Sequence, residues 1–187
     1  MGNYSKNINV FLIVNYNDYE NTFKLLKNIE YYDVIDEIVV VDNNSKKDIQ
    51  DKLKKIKISK LTILFSKENN GYGSAINIGC KYIKEKYINA NVFISNSDII
   101  INKEDDLIKL IQNLNNDDKM CAIAPVIKQN EDLVCGWCLP SIIDALILNI
   151  PKFNRKYERK KLLYNYNDFE DGLNEVEVIS GCCFLIK

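Results

Sequence analysis

The side chains of this sequence that could do chemistry gather in four short polar clusters, each of which follows an apolar run. The clusters span residues 15–18, 42–45, 69–74 and 96–98, and they consist almost wholly of Asn, Asp, Gly, Ser and Tyr. These residue types also dominate ordinary turns, so any one cluster alone fits a turn. The opposite ends of the same runs, at 33–36 and 89–91, carry no such density. Together the four clusters therefore indicate a site.

The clusters favour binding of a nucleotide diphosphate with a divalent cation. Gly71 and Gly73 precede a helical pattern, where free N–H groups and the helix dipole favour an anion. The cluster is neither the complete G-x-G-x-x-G dinucleotide motif nor a P-loop. Asp98 beside Asn96 offers hard oxygen ligands suited to Mg²⁺ or Mn²⁺. Asp42 is placed to accept hydrogen bonds from a base or ribose.

Composition excludes several classes of function. The 187 residues are 47% hydrophobic and carry a formal net charge of -1, which suits one globular domain and argues against broad nucleic-acid binding. The chain has no histidine, which excludes a Ser-His-Asp triad and a His-ligated zinc site. Its N-terminus has no signal region, and no apolar run approaches the roughly 20 residues that span a bilayer. We therefore expect a cytoplasmic protein with reduced cysteines.

The elements that must position the clusters alternate along the chain. Short apolar, β-branched runs predict buried strands at 8–14, 37–41, 61–65, 92–95 and 121–127. Amphipathic patterns between them predict helices after an N-cap at Asp18 and at 46–56, 74–87 and 104–114. This alternation predicts an α/β fold with a mostly parallel, Rossmann-like sheet and helices on both faces.

The rhythm breaks after Pro125. Residues 128–140 are expected to form a hairpin or loop, 141–164 a basic helical segment, and 176–187 an extended apolar run. We expect a single domain over 1–187, with a nucleotide-binding half at 1–127 and an irregular, acceptor-side part at 128–187. Because the chain ends on an apolar strand, we expect it to be the N-terminal part of a longer protein.

Five segments, taken in order, resemble glycosyltransferase family 2, the GT-A fold, in its rhamnosyltransferase-like branch. They are 13–17 (IVNYN), 40–45 (VVDNNS), 70–79 (NGYGSAINIG), 95–98 (SNSD) and 178–186 (VISGCCFLI). The resemblance implies an inverting transferase that moves a hexosyl or rhamnosyl unit from a dTDP-, UDP- or GDP-linked donor. The acceptor would be a saccharide or lipid-linked saccharide in surface polysaccharide or glycan synthesis.

The same resemblance implies site residues. Those implied to bind the nucleotide and donor are Asn15, Tyr16, Asn17, Asp42, Asn44, Asn70, Gly71, Tyr72, Gly73, Asn77 and Asn96. Asp98 is the implied metal-facing carboxylate for Mg²⁺ or Mn²⁺ on the diphosphate, with Asn96 at the first position of the family's D-x-D motif. The family's general base lies downstream of the Ser-Gly-Cys-Cys strand, so it is expected beyond Lys187. The acidic residues at 168–171 come too early for that role.

Other functions stay open at this point. A non-catalytic nucleotide-sugar binding module would share every binding residue, and only a donor-turnover assay separates it from an enzyme. A sugar nucleotidyltransferase is disfavoured because residues 15–17 replace its Gly-rich, Arg-containing loop. The C-x-x-C spacing at 135–138 invites a redox or zinc interpretation, but it lies too late for a thioredoxin-like unit. Packed cysteines are the favoured interpretation.

Residues 140–161 have two interpretations. The apolar stretch PSIIDALILNIP precedes a basic cluster formed by Lys152, Arg155, Lys156, Arg159, Lys160 and Lys161. One interpretation is a helix packed on the sheet, followed by a solvated basic face. The other is a peripheral contact with the inner face of the membrane, since a short apolar helix beside basic residues suits an anionic lipid interface.

Overall fold

A computed structural model describes residues 7–129, 132–134, 136–150, 162–164, 167, 169–170 and 172–187. The chain divides into two compact units. Unit 1 comprises Met1–Ile123 and Cys182–Lys187, and unit 2 comprises Ala124–Gly181.

The elements follow the predicted alternation. In chain order they are β1 (Ile8–Asn15), α1 (Tyr19–Ile29), β2 (Glu37–Asp42), α2 (Lys47–Leu53), β3 (Leu61–Phe65), α3 (Tyr72–Lys86), β4 (Ala90–Ser95), α4 (Glu104–Asn116), β5 (Ala122–Ile123), β6 (Ile127–Gln129), β7 (Asp132–Val134), α5 (Ile142–Leu148) and β8 (Cys183–Ile186).

Unit 1 is built on a six-stranded sheet in the order β3-β2-β1-β4-β8-β5. The strands β3, β2, β1 and β4 are parallel, and β8 runs antiparallel to both β4 and β5. The prediction of an α/β fold with a mostly parallel sheet flanked by helices is confirmed. The strand order reverses at β1, with β2 on one side and β4 on the other, and open α/β sheets bind ligands beyond the carboxyl ends of the strands at such a point.

Apolar side chains on both faces of this sheet form the core of unit 1. Leu12 of β1 packs in one cluster with Ala75 and Ile83 of α3. Phe11 and Phe93 lie one strand position out of step with that cluster, so they face the other way, and their rings stack at 5.5 Å between centroids. Because β1 and β4 are covered on both faces, the carboxyl ends of these two strands are held in place.

Two predicted elements are wrong in extent. The predicted strand at 121–127 is two strands, β5 in unit 1 and β6 in unit 2. Pro125 lies between them and cannot donate a ladder hydrogen bond. Within the described part of the predicted helical segment at 141–164, only α5 is helical, and residues 162–164 are not. Residues 151–161 of that prediction lie outside the described residues.

Unit 2 has a hairpin and a short backbone ladder. The strands β6 and β7 pair antiparallel, which confirms a hairpin within the predicted region. Trp137 exchanges two backbone hydrogen bonds of 3.0 Å with Val178. Gly136 allows this close approach, because its φ is +139° and a Cβ there would lie 2.5 Å from the Val178 carbonyl oxygen. None of the helices in the described residues is long and apolar enough to cross a membrane.

Candidate functional site

The loops after β1 and β2 are joined by a buried pair, Asn15 and Asp42. The Asn15 amide donates to Asp42 Oδ1 at 2.7 Å, and the Thr22 hydroxyl donates to Asn15 Oδ1 at 2.8 Å. The other carboxylate oxygen of Asp42 accepts from the Ser45 backbone N–H at 3.0 Å and from Gln50 Nε2 at 3.2 Å. Both side chains are fully buried, so the structure shows them holding the two loops together. Their direct contact with a nucleoside stays a prediction.

The same two loops present exposed polar side chains at the carboxyl edge of the sheet. Asn17 and Asn44 adopt positive φ values of 54° and 61°, a region that asparagine tolerates better than most residues. The Asn17 N–H donates to Ser45 Oγ at 2.7 Å, and Asn17 Oδ1 accepts from the Lys46 N–H at 2.8 Å. With the backbone held in this way, Tyr16, Asn17 and Asn44 are exposed at the edge.

Asn43 is the residue that the sequence prediction missed. Only 3% of it is exposed, and its Nδ2 donates to Asn69 Oδ1 at 2.8 Å and to the Gly71 carbonyl at 3.3 Å. Because the Gly71 carbonyl can only accept, the Asn43 amide orientation is fixed. Its Oδ1 is then the one buried side-chain oxygen or nitrogen without a hydrogen-bond partner in the part of the chain that the structure describes. The only sequence signal was its place inside the 42–45 cluster.

An unpaired buried acceptor points to a missing donor. Leaving such a group without a partner costs about 1–3 kcal/mol, so native proteins seldom keep one without a reason. Asn43 lies between the loop after β2 and the loop after β3, at the edge where the other predicted site residues lie. A bound water or a ligand N–H that reaches this oxygen would satisfy it.

The loop after β4 borders the site on the side of β1 opposite to β2. The Ser97 hydroxyl donates to Asp18 Oδ2 at 3.1 Å, and the Asn96 N–H donates to the Cys182 carbonyl at 2.9 Å. Asp18 also accepts from the Asn21 N–H, which confirms the predicted N-cap of α1. Asp98 itself is exposed. The loops after β1 and β4 therefore meet, and Asp98 is free to reach a ligand.

Tyr72, the first residue of α3, lies beside this loop. Burial raises the pKa of its phenol, and the negative charges that Cys182, Cys183 and Asp98 can carry raise it further. Gly71 before it has a φ of +88°, and the first turn of α3 contains no acidic side chain. The remaining predicted residues of this loop and helix are all exposed: Asn70, Gly71, Gly73 and Asn77. The structure thus brings the four predicted clusters to one edge.

The cysteines do not form a rival site in the described residues. Burial raises the pKa of the Cys183 thiol to about 12, and burial also raises that of Cys80, so both are protonated at neutral pH. No group of three or more Cys, Asp or Glu residues suited to a metal occurs among the residues described. Cys135, the first cysteine of the C-x-x-C spacing, lies outside them.

Comparisons with known proteins agree with this geometry. Residues 11–187 match the sequence profile of glycosyl transferase family 2. No curated protein sequence matches the chain. A mannosyltransferase from Pyrobaculum calidifontis, determined in complex with GDP-Man and Mn²⁺, is similar in structure, with a TM-score of 0.56 and 21% sequence identity. The match covers 65% of this chain and 35% of that protein, so this chain corresponds to about a third of its length.

Two further solved structures are more distantly similar. TarS of S. aureus has a TM-score of 0.47 and 23% identity over 58% of this chain and 20% of that one. A 4-diphosphocytidyl-2C-methyl-D-erythritol synthase from Anaerococcus prevotii has a TM-score of 0.47 and 14% identity over 90% of this chain and 79% of its own. The family match and the mannosyltransferase together confirm the GT-A fold that the resemblance implied.

Proposed function

Because this chain belongs to glycosyl transferase family 2, we propose that it transfers a sugar, with inversion, from a nucleotide-diphosphate donor to a saccharide acceptor. The observation that carries the proposal is the meeting of the polar loops at the carboxyl edge of the sheet, where Asn43 also keeps a buried, unpartnered Oδ1. Every nucleobase carries an N–H that could donate to this oxygen, on the ring or on an exocyclic amino group. Among the donor classes, the family resemblance favours UDP-, dTDP- and GDP-linked sugars.

The site residues divide into two roles in this proposal. Asn15 and Asp42 are positioning residues, because their side chains are buried and bonded to each other. The exposed residues and the half-buried Asn96 contact the nucleotide and the donor sugar; the exposed ones are Tyr16, Asn17, Asn44, Asn70, Gly71, Tyr72, Gly73 and Asn77. The hydrogen bonds among the loops keep these groups in place before the donor arrives, so less conformational entropy is lost on binding.

We assign Asp98 to a divalent cation on the donor diphosphate. Mg²⁺ usually keeps several waters and takes one or two carboxylates plus substrate phosphates, so a single exposed carboxylate fits it. A bound cation would neutralise charge on the departing diphosphate. The similar mannosyltransferase was determined with GDP-Man and Mn²⁺, which supports the assignment. Because Asn96 stands in place of a second carboxylate, metal binding should depend on the bound nucleotide.

The acceptor and the sugar are the finer parts of the proposal. The family resemblance favours a hexosyl or rhamnosyl unit and an acceptor in surface polysaccharide or glycan synthesis. A lipid-linked saccharide would require the protein to work in the cytoplasm at the inner face of the membrane.

Calorimetric titration tests the donor and metal assignments. UDP, dTDP and GDP, each with Mn²⁺, are expected to bind more tightly than CDP or ADP, and Mn²⁺ should strengthen binding. Asp98→Ala should abolish the metal effect and keep the fold, whereas Asp118→Ala, at an exposed aspartate in the turn after α4, should change nothing. Binding of donor and metal by Asp98→Ala as by the wild type would contradict the metal assignment. Release of nucleoside diphosphate from the donor separates an enzyme from a binding module.

A second titration tests Asn43. Loss of its acceptor in Asn43→Ala should weaken nucleotide binding about tenfold, which corresponds to about 1.4 kcal/mol, and should reduce the preference among bases. Asn69→Ala breaks one of the loop hydrogen bonds of Asn43 but leaves the Asn43 acceptor in place, so it should bind more tightly than Asn43→Ala. Equal affinities and equal base preferences for all three proteins would show that Asn43 does not contact the base.

A further inference from the structure

The segment between β4 and α4 carries Asp98 and is anchored on both sides of it. Residues 96–103 form neither helix nor strand, so their backbone is not held by a ladder of regular hydrogen bonds. On the β4 side, the Ser97 hydroxyl donates to Asp18 Oδ2 at 3.1 Å. The second anchor lies at Ile101, so only three residues separate the two anchors.

The second anchor consists of three hydrogen bonds to one residue. The Ile101 N–H donates to Asn28 Oδ1 at 2.8 Å, and Asn28 Nδ2 donates to the Ile101 carbonyl at 2.9 Å. The Tyr32 hydroxyl donates to the same carbonyl at 3.0 Å. Because Asn28 bonds both backbone groups of Ile101, the segment cannot slide along the helix that carries Asn28 without losing both bonds.

Both anchors involve one well-packed element, the helix α1. Asp18 is its N-cap, Asn28 lies in its last turn, and its inner face is buried. Within the helix, the Thr22 hydroxyl donates to Asn15 Oδ1 at 2.8 Å. The helix is therefore tied to the carboxyl end of β1, where the nucleotide loops begin, and it holds the Asp98 segment at a fixed place beside them.

Asp18 is suited to positioning rather than to metal binding, because both of its carboxylate oxygens are engaged. Its Oδ1 accepts from the Asn21 N–H at 3.4 Å. Its Oδ2 accepts from the Asn21 side-chain amide at 3.0 Å as well as from Ser97. A turn towards a cation would break these bonds and uncap α1, whereas Asp98 is exposed and can reach a ligand without such a loss.

Anchoring matters most where one carboxylate has to hold a cation. With Asn96 at the first position of the motif, the metal relies on Asp98 and on the diphosphate. A carboxylate on an unanchored segment would have to be ordered when the cation binds, and the lost conformational entropy would weaken binding. Groups that orient metal ligands typically contribute roughly 10- to 100-fold in metal affinity.

We propose that α1 positions Asp98 for the divalent cation, with Asp18 and Asn28 as positioning residues near its two ends. This role rests on the proposed assignment of Asp98 to the cation and adds the support of that carboxylate. Asp18 acts through the Ser97 hydroxyl, and Asn28 acts through the backbone of Ile101. Loosening either anchor should therefore weaken metal binding and leave nucleotide binding without metal unchanged.

Calorimetric titration of the full chain over a series of Mn²⁺ concentrations tests the proposal. With UDP, dTDP or GDP, whichever binds most tightly, it gives the affinity for Mn²⁺ in the complex and the affinity for the nucleotide without metal. Ser97→Ala and the double variant Asn28→Ala/Tyr32→Phe each remove one anchor and should each bind Mn²⁺ about tenfold more weakly. An unchanged affinity for the nucleotide without metal separates positioning of Asp98 from a general loss of structure.

Conservative variants and a matched control sharpen this test. Ser97→Thr keeps the hydroxyl and should bind Mn²⁺ as the wild type does. Asp18→Asn removes the charge but keeps a helix cap and a hydrogen-bonding group for Ser97, so it should also keep the Mn²⁺ affinity. Asn113→Ala removes a helix asparagine whose amide donates to the Lys109 carbonyl at 2.9 Å within α4, and it should change nothing.

Three results would overturn the proposal. If Asp98→Ala loses Mn²⁺ affinity while Ser97→Ala and the double variant keep it, Asp98 needs no support from α1 and the metal assignment stands alone. A loss in Asp18→Asn as large as that in Asp98→Ala would make Asp18 a metal ligand. Wild-type Mn²⁺ affinity in Asp98→Ala would contradict the metal assignment itself, and the positioning role with it.

Discussion

Units 1 and 2 use their apolar residues in opposite ways. Among the described residues, Leu162 is the only buried hydrophobic residue of unit 2, whereas unit 1 supplies all the others. Unit 2 nevertheless holds nine of the fifteen large hydrophobic residues that are most exposed. Unit 1 is therefore a packed scaffold that fixes the four site loops. Unit 2 has apolar surface available for contacts, and α5 is its clearest example.

The largest expected effect comes from one substitution made in both units. Leu12→Ala removes a fully buried side chain of β1 and should lower the free energy of unfolding by about 2–5 kcal/mol. Leu146→Ala removes the same atoms from an exposed position of α5 and should change it by less than about 0.5 kcal/mol. Urea unfolding at pH 7 measures both. Similar losses in the two variants would remove the contrast between the units.

A smaller effect is expected from the buried carboxylate of Glu37, at the start of β2. Burial alone would raise its pKa, but hydrogen bonds donated by Lys86, Tyr87, Thr62 and Tyr82 outweigh burial and lower the pKa below 4.5. These four donors lie 2.6–2.9 Å from its oxygens. A carboxylate with a lowered pKa stabilises the fold at neutral pH, and this contribution is lost as the pH falls from about 4.5 through the folded-state pKa.

The variant Glu37→Gln should therefore be less stable than the wild type at pH 7 and should lose less stability between pH 5 and pH 3. Urea unfolding over this pH series measures the difference. Glu85→Gln is the control, because Glu85 is exposed and forms only a surface ion pair of 3.9 Å, with Lys81, among the residues that the structure describes. The same pH dependence in Glu37→Gln and the wild type would show that protonation of Glu37 does not cause the loss of stability at low pH.

The smallest effect is expected at the cap of α5. Ser141→Ala removes the side chain that accepts from the Asp144 N–H and should destabilise this helix by about 1 kcal/mol. Amide hydrogen exchange within α5 should become about fivefold faster, while exchange in β1 and β4 stays unchanged. Ser141→Asn keeps a capping oxygen and should behave like the wild type. Unchanged exchange in Ser141→Ala would mean that the capping box does not stabilise α5.

The sequence predicted unit 1 more completely than unit 2. Strands β1 to β4 are continuous apolar, β-branched runs, which identify buried parallel strands from pattern alone. The place of β8 between β4 and β5 was not predicted, because it is set by pairing across about 90 residues of chain. In unit 2 a helix was expected, but the burial of Asp144 was not, since no periodicity in the sequence indicates it.

The candidate site shows the same limit. The clusters at the strand ends could be predicted because parallel strands bring their carboxyl ends to one edge. Which asparagine of 42–45 turns inward could not be predicted, because it depends on the acceptors Asn69 and Gly71 from the next loop. The role of Asn43 could therefore be identified only from the structure.

The central claim is that the four loops of unit 1 form one donor site. Amide chemical-shift mapping with the tightest-binding nucleoside diphosphate and Mg²⁺ tests it most directly. We expect the largest shifts in residues 15–18, 42–45, 69–73 and 96–98, with little change at 33–36 and 88–91 at the opposite edge of the sheet. Shifts centred on the opposite edge, with the four loops unchanged, would contradict the account.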